Sequence, residues 1–248
     1  MARQAGRTSV TYIEGFVVAV PTANRQAYLE HATTAVGFLR EFGVARMVEN
    51  WGDDVPVGTL NDFAGAVQAT ADETVVFSWF EYPDKAARDA ANARMMTDPR
   101  MEAMGASMPF DGSRMIYAGF QAELEDGLAA GTGYVDGFIL PASLADKDAY
   151  FSMARTASAV FRDHGARRVV ETWGDDVPAG EKTDYARAAH ATADEVVVYA
   201  WVEWPDKLTR DAGTPKVMAD ARMQTPSADL PFDGKRAIYG GFTTILDA

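Results

Sequence analysis

The chain has 248 residues, a formal charge of −13 and no cysteine. That length accommodates two domains of ordinary size, and the acidic balance repels phosphate backbones and anionic lipid, so neither nucleic acid nor membrane is expected as a partner. Without cysteine there is no disulfide, thiolate ligand or thiol nucleophile. The strongest apolar run, 75–80, is broken by Ser78, and residues 1–10 lack a signal-peptide pattern; a cytoplasmic location is the expectation.

A tail over 1–11 precedes a strand over 12–20, rich in β-branched and aromatic residues. Tyr28, Ala32, Ala35, Leu39 and Phe42 then recur at spacings of three and four, which predicts a helix with one apolar stripe ending at Gly43. A short strand over 44–51 leads into Gly52-Asp53-Asp54-Val55-Pro56, whose composition predicts a turn, and 64–70 reads as a weak strand. Residues 75–81 carry the strongest strand signal of the chain. Pro83 and Asp84 open a second helix on which Arg88, Asn92 and Met96 share a face, and Pro99 cuts it short. Pro109-Phe110-Asp111-Gly112 marks a turn before a last strand over 114–123, and 125–133, with Gly127, Gly131 and Gly133, reads as a flexible linker.

From residue 134 the whole pattern repeats. At a constant offset of 122, residues 12–120 align with 134–242 without a gap, and 53 of those 109 positions are identical. A period of that size is a domain, so the chain consists of two modules, 12–124 and 134–248. Each reads β-α-β-β-α-β, with Pro215 predicted to break the second helix of the second copy or to delay its start. The implied fold class is α+β: each module is a ferredoxin-like four-stranded antiparallel sheet with both helices on one face. The bare face of such a sheet needs cover, and the tethered second copy is the nearest source. The two βαββαβ modules are therefore expected to pack sheet to sheet as an intramolecular pseudo-dimer, the whole chain being a monomer or a weak homodimer.

The strings Tyr134-Val135-Asp136-Gly137-Phe138, Trp51-Gly52-Asp53-Asp54-Val55-Pro56, the 75–81 strand, Asp98-Pro99-Arg100-Met101, Pro109-Phe110-Asp111-Gly112 and Arg114-Met115-Ile116-Tyr117 resemble the DUF1428 (YbaA-like) family, along almost the full length of both copies. The resemblance implies a dimeric α+β barrel in which single modules associate face to face. It implies no activity; wider relatives of that fold include cofactor-independent monooxygenases, lactone isomerases and haem-handling enzymes, and fold alone does not carry function across.

Candidate residues follow from strand parity, because alternate side chains share a face. Val75, Phe77, Trp79 and Glu81 point one way, as do Val197, Tyr199, Trp201 and Glu203; Glu49 pairs with Trp51, Glu171 with Trp173, and Glu14 with Phe16. A carboxyl in an aromatic-lined cavity is moved toward neutrality and suits general acid or base work. Glu81 and Glu203 are therefore the candidate acid/base residues, with Trp79, Trp201, Glu49, Glu171, Tyr117 and Tyr239 as ligand contacts in a cavity between the two sheets. The structural alternative is that the glutamates sit at strand ends paired with Arg46, Arg114 or their counterparts, and that the tryptophans are packing. Tyr117 and Tyr239 could equally pack under the first helix.

Asp53-Asp54 and Asp175-Asp176 lack the spaced ligands of a calcium loop, and none of His31, His164 and His190 recurs in the other copy, so no symmetric metal or haem site is expected, although His31 or His190 could serve one asymmetric site. Arg88-Asp89 and Arg210-Asp211 suit either an anionic ligand group or a solvated helix face. No nucleophilic triad, phosphate loop or dinucleotide fingerprint is present, and no tightly bound cofactor is expected. The function class these features point to is binding or transformation of a small molecule. The alternatives are a non-catalytic interaction or scaffold protein with a filled barrel, or a site in the first copy alone.

Overall fold

The computed structural model describes residues 11–129, 131–226 and 230–248; the expected tail, apart from Thr11, lies outside them. The first module runs β1 (Tyr12–Pro21), α1 (Arg25–Phe42), β2 (Arg46–Asp54), α2 (Phe63–Ala66), β3 (Glu73–Tyr82), α3 (Lys85–Met95), α4 (Pro99–Ala106) and β4 (Ile116–Gly127). The second runs β5 (Tyr134–Ser143), α5 (Lys147–Asp163), β6 (Arg168–Asp176), α6 (Tyr185–Ala188), β7 (Glu195–Trp204), α7 (Lys207–Ala219) and β8 (Ile238–Asp247).

All eight strands close into one antiparallel barrel in the order β1-β3-β2-β8-β5-β7-β6-β4, with β4 returning to β1. Within each module the strands pair as the ferredoxin-like pattern requires. The modules then join at both edges, β2 to β8 and β4 to β6, so no strand is left with an open side. The α+β fold read from the sequence is thus present as a single intramolecular dimeric barrel.

The core explains the closure. Val75, Phe77 and Trp79 of β3 and Val197, Tyr199 and Trp201 of β7 all point into the barrel, in one apolar cluster with Phe120 and Phe242. Trp79 stacks on Trp201 with ring centroids 4.3 Å apart, and Phe77 on Tyr199 at 4.4 Å, each pair crossing between modules. These contacts need glycine opposite them. A Cβ on Gly15 would lie 3.0 Å from the Tyr199 ring, and one on Gly137 2.9 Å from that of Phe77, so each glycine lets the other module's aromatic lie against its backbone.

The helices cover the outside. In α1, Tyr28, Ala32, Ala35, Leu39 and Phe42 are the buried positions, and Gly43 ends the helix in the left-handed region at φ +115°. Asp84 and Asp206 cap α3 and α7 by accepting from the backbone N–H groups of Ala87 and Thr209.

Four local readings are corrected. Residues 64–70 are no strand: Asp62 accepts from Gly65 N–H and starts the short helix α2, whose Phe63 plugs one barrel end against Phe77 and Phe242. Residues 52–54 extend β2 because β8 pairs with them. Pro215 does not break α7, which is continuous; the proline and Asp211, whose carbonyl loses its helical donor, are both solvent-exposed. The expected linker is shorter, since Glu125 to Gly127 belong to β4 and Thr132 is buried.

Candidate functional site

Strand parity sorts the candidate residues into two places. Trp79, Trp201, Glu81 and Glu203 lie inside the barrel; Glu49, Glu171, Tyr117 and Tyr239 are on its outer, helix-covered side.

Inside, at the end opposite α2 and α6, two arginines meet two glutamates. Arg168 donates to Glu81 at 2.6 Å, to Glu203 at 3.1 Å and to Glu125 at 2.7 Å. Arg46 donates to Glu203 at 2.9 Å, to Glu81 at 3.1 Å and to Asp247 at 2.8 Å. The indole N–H groups of Trp79 and Trp201 donate to Glu81 and Glu203, both at 3.0 Å. Burial alone would raise the Glu203 carboxyl, but Arg46, Arg168 and the Thr132 hydroxyl outweigh it and hold it below its ordinary value. This is the pairing with Arg46 and its counterpart that the sequence offered as an alternative. With both indoles wholly buried and stacked, side chains occupy the space where a cavity between the sheets was expected.

A cavity of about 430 Å³ lies instead on the outer face of the first module's sheet, roofed by α1, α3 and α4. Its floor follows from the register. Phe16, Ser78 and Glu49 form one cross-strand row over β1, β3 and β2, and Glu14, Phe80 and Met47 form the next. Ala32 and Ala35 of α1 are small enough to leave room above that floor, and Met95, Met96, Met101 and Met104 line the far wall from α3 and α4. Methionine is flexible and polarizable and adapts to irregular apolar shapes. Tyr117, half-exposed, lies at the rim; Tyr239 lies in a separate groove beside Val57 and Leu60.

Two buried carboxyls face this cavity in different electrostatic states. Glu14 accepts from Asn92 at 2.9 Å and from Tyr82 at 3.3 Å, with Arg88 3.8 Å away. Burial still raises its proton affinity, but Asn92, Arg88 and Tyr82 all oppose the rise. Glu49 has only neutral company: the Tyr28 hydroxyl donates to it at 2.6 Å, and Ser78 lies beside it. Burial, opposed by these two hydroxyls alone, raises Glu49 from 4.5 to about 7. His31, at the same cavity, is pushed down by burial and so stays neutral near pH 7.

The second module keeps half of this. Tyr150 donates to Glu171 at 2.7 Å, and burial again raises the carboxyl to about 7. Asp136, in the place of Glu14, accepts from Arg210 and Trp204, both at 2.9 Å. The roof differs. Among the described residues the second module has no counterpart of α4, only a single 3-10 turn over Ala221–Met223. Phe151, in the place of Leu29, is buried against Trp173 at 5.6 Å, and Phe161, in the place of Leu39, packs on Trp204 at 6.1 Å.

Sequence reasoning singled out Glu49 and Tyr117 but missed Tyr28, Asn92 as the Glu14 partner, and the methionine wall. The signal was available. The apolar stripe of α1 must face the Met47-Glu49-Trp51 side of β2, which brings Tyr28 over Glu49. The aspartates read as a turn also proved otherwise: Lys207 and Arg210 hold Asp53 and Asp54 at 2.7 and 2.9 Å, and in mirror image Lys85 holds Asp175 while Arg88 holds Asp176 at 2.7 Å. Arg88 and Arg210 thus tie a buried strand carboxylate to the other module.

Comparison with known proteins agrees with the repeat. A family described as "Protein of unknown function (DUF1428)" matches residues 11–112 and again 133–234. The uncharacterized protein YbaA of Escherichia coli K12 is 55% identical over 115 residues, which are 46% of this chain and 98% of YbaA; its Shigella flexneri namesake aligns identically. Among solved structures, a putative monooxygenase from Fusobacterium nucleatum superposes with a TM-score of 0.61 at 10% identity, covering 97% of this chain and 94% of that one. A putative monooxygenase from Lactobacillus acidophilus gives 0.57 at 9% identity, covering 96% of each chain.

Proposed function

The chain belongs to the DUF1428 family in both of its halves, and on that premise we propose that it binds a small, largely apolar molecule in the cavity beneath α1, α3 and α4 of the first module. One observation carries this reading: about 430 Å³ of space lined by methionines, aromatics and alanines, with two buried carboxyls aimed into it. A volume of that size is within the ordinary range for ligand pockets, and an apolar wall with few convergent polar groups is their usual composition. The monooxygenase names of the solved neighbours point toward small molecules as well, but identities near 10% carry the fold alone.

The site is single. Ala35 and its counterpart Ala157 test this: Ala35→Trp fills the first cavity, whereas Ala157→Trp falls in a module that has no counterpart of α4 among the described residues. Thermal-shift screening of neutral apolar metabolites against the full chain should give stabilising hits that Ala35→Trp abolishes and Ala157→Trp keeps. Hits that survive Ala35→Trp would remove the site from this cavity. The packed barrel interior favours the second reading, a non-catalytic interaction protein, and a library without a single hit would support it. Because every strand has two neighbours, we also propose a monomer; light scattering should return a mass near 26.9 kDa.

A further inference from the structure

We infer that Glu49 is a proton acceptor, acting on a neutral, mostly apolar molecule that carries a weakly acidic O–H or C–H, as a phenol or an enolisable ketone does. The inference rests on the cavity reading above and adds chemistry to it.

Apart from the two Tyr-Glu pairs, Tyr28–Glu49 and Tyr150–Glu171, the buried carboxyls named above are given cations. Glu81 and Glu203 share Arg46 and Arg168, Asp136 has Arg210, and Glu14 has Arg88 within 3.8 Å. Glu49, 4% exposed, makes no ion pair among the described residues, and its partner Tyr28 comes from the helix above the floor. A buried carboxylate without a cation costs stability, and of the two Tyr-Glu pairs it is Glu49 that lines the cavity, where its carboxyl can meet a bound molecule. The ligand class follows from the rest of the wall. Among the described residues no lysine or arginine lines the cavity, while Glu14 does, so a carboxylate or phosphate would find repulsion and no counter-charge there. A neutral molecule meets apolar surface and one group able to take its proton.

The step balances without a co-reactant. The Glu49 carboxylate takes the proton, the bonding pair stays on the ligand as phenolate or enolate, and the buried charge is moved rather than created. Return of the proton to the same or another carbon regenerates the carboxylate. The titratable groups that face the cavity with Glu49 are Glu14 on β1, Tyr28 and His31 on α1 and Tyr117 on β4; α3 contributes Asn92 and methionines, and α4 methionines.

The test uses 2-tetralone, a neutral bicyclic ketone, with the full-length protein. Saturation-transfer NMR reads its binding, and loss of its α-proton signal in D₂O reads exchange against buffer alone. Wild type should bind it and speed exchange at least tenfold over buffer. Glu49→Gln should still bind while exchange falls to the buffer rate, and Glu171→Gln should match wild type. Tyr28→Phe, which removes the hydrogen bond that favours the carboxylate, should move the pH midpoint of exchange upward by about one unit. That shift has no counterpart in a merely structural role, and it keeps the inference open to refutation should Glu49→Gln fail to fold. Wild type that binds without accelerating exchange, Glu49→Gln that exchanges at the wild-type rate, or an unmoved Tyr28→Phe midpoint overturns the proton-acceptor role and leaves the cavity reading standing. No saturation transfer to wild type, or transfer indifferent to Ala35→Trp, overturns the cavity reading itself.

Discussion

Replacing Glu49 with glutamine should make the protein more stable at alkaline pH than the wild type, by an amount that vanishes in acid. Burial raises Glu49 from 4.5 to about 7, so the folded chain holds this proton more tightly than the unfolded one. The sign follows: the stability linked to that proton is fully present below about pH 4.5 and is lost as pH rises through 7. A difference of about 2.5 in pKa, at about 1.4 kcal/mol for each, amounts to about 3 kcal/mol above pH 8. Glutamine keeps the acceptor for Tyr28 and carries no charge. The amide N–H it introduces beside Ser78 adds a cost independent of pH, which cancels when the variant is compared with wild type at two pH values. Urea unfolding at pH 5 and pH 9 gives both free energies, and the gap between Glu49→Gln and wild type should grow by about 3 kcal/mol from the first to the second. A gap that stays constant with pH would refute the claim that Glu49 is buried without a compensating cation. Glu171→Gln should shift in the same direction but by less, because that carboxyl, also raised by burial, is part-exposed and screened by solvent.

Three further outcomes test the frame around the site. Gly137→Ala places a Cβ 2.9 Å from the Phe77 ring and should cost about 1–3 kcal/mol, seen as a lower melting temperature, without disturbing the helices. Arg168→Met leaves Glu81 and Glu203 with Arg46 alone and should cost about 3–5 kcal/mol in chemical denaturation, part of it recovered when Glu203→Gln is added; equal loss in the single and double variants would show that the arginine acts through packing. Pro215→Ala, which restores the residue type of the matching position Ala93, should raise the melting temperature, because the helix regains a backbone donor toward Asp211.

The large features of this fold were legible because they are periodic or duplicated. The gapless repeat announced two modules, the α1 stripe of Tyr28, Ala32, Ala35, Leu39 and Phe42 named its buried face correctly, and the 75–81 strand proved central. Parity separated Trp79 and Glu81 from Ser78 and Phe80, but parity has no sign. It says which side chains share a face, and nothing local says whether that face meets helices or the other sheet. Trp79 and Glu81 suggested a pocket by composition, yet aromatic residues facing their own duplicates across a seam stack and fill it. The β2 aspartates were misread for a similar reason. Gly52-Asp53-Asp54 has turn chemistry locally, and only the arrival of β8, almost 190 residues downstream, keeps it in a strand. The space under α1 was invisible because a cavity is made by what is small. Ala32 and Ala35 are unremarkable in a helix until α4 is seen to stand off from them.

Fusion of the two modules explains how the proposed single site is compatible with a barrel that uses both halves equally. In a symmetric homodimer every substitution occurs twice, so a residue that opens a pocket in one subunit opens it in the other. A tandem chain lifts that constraint. The interior still demands symmetry, since Trp79 stacks only if Trp201 is opposite and Arg46 and Arg168 must both share the two glutamates; there the copies agree. The helix layers touch each other little and are free to diverge. The first keeps α4 and its methionines, while the second places Phe151 and Phe161 against the sheet instead. The Tyr-Glu pair persists in both because each glutamate sits on a strand whose neighbours are fixed by the barrel, and its cost of burial is the same with or without a ligand. What distinguishes the copies is the surroundings of that pair: Glu49 lines the cavity of about 430 Å³ under α1, α3 and α4, whereas Glu171 is part-exposed and does not line it, and the proposed chemistry belongs to the first side.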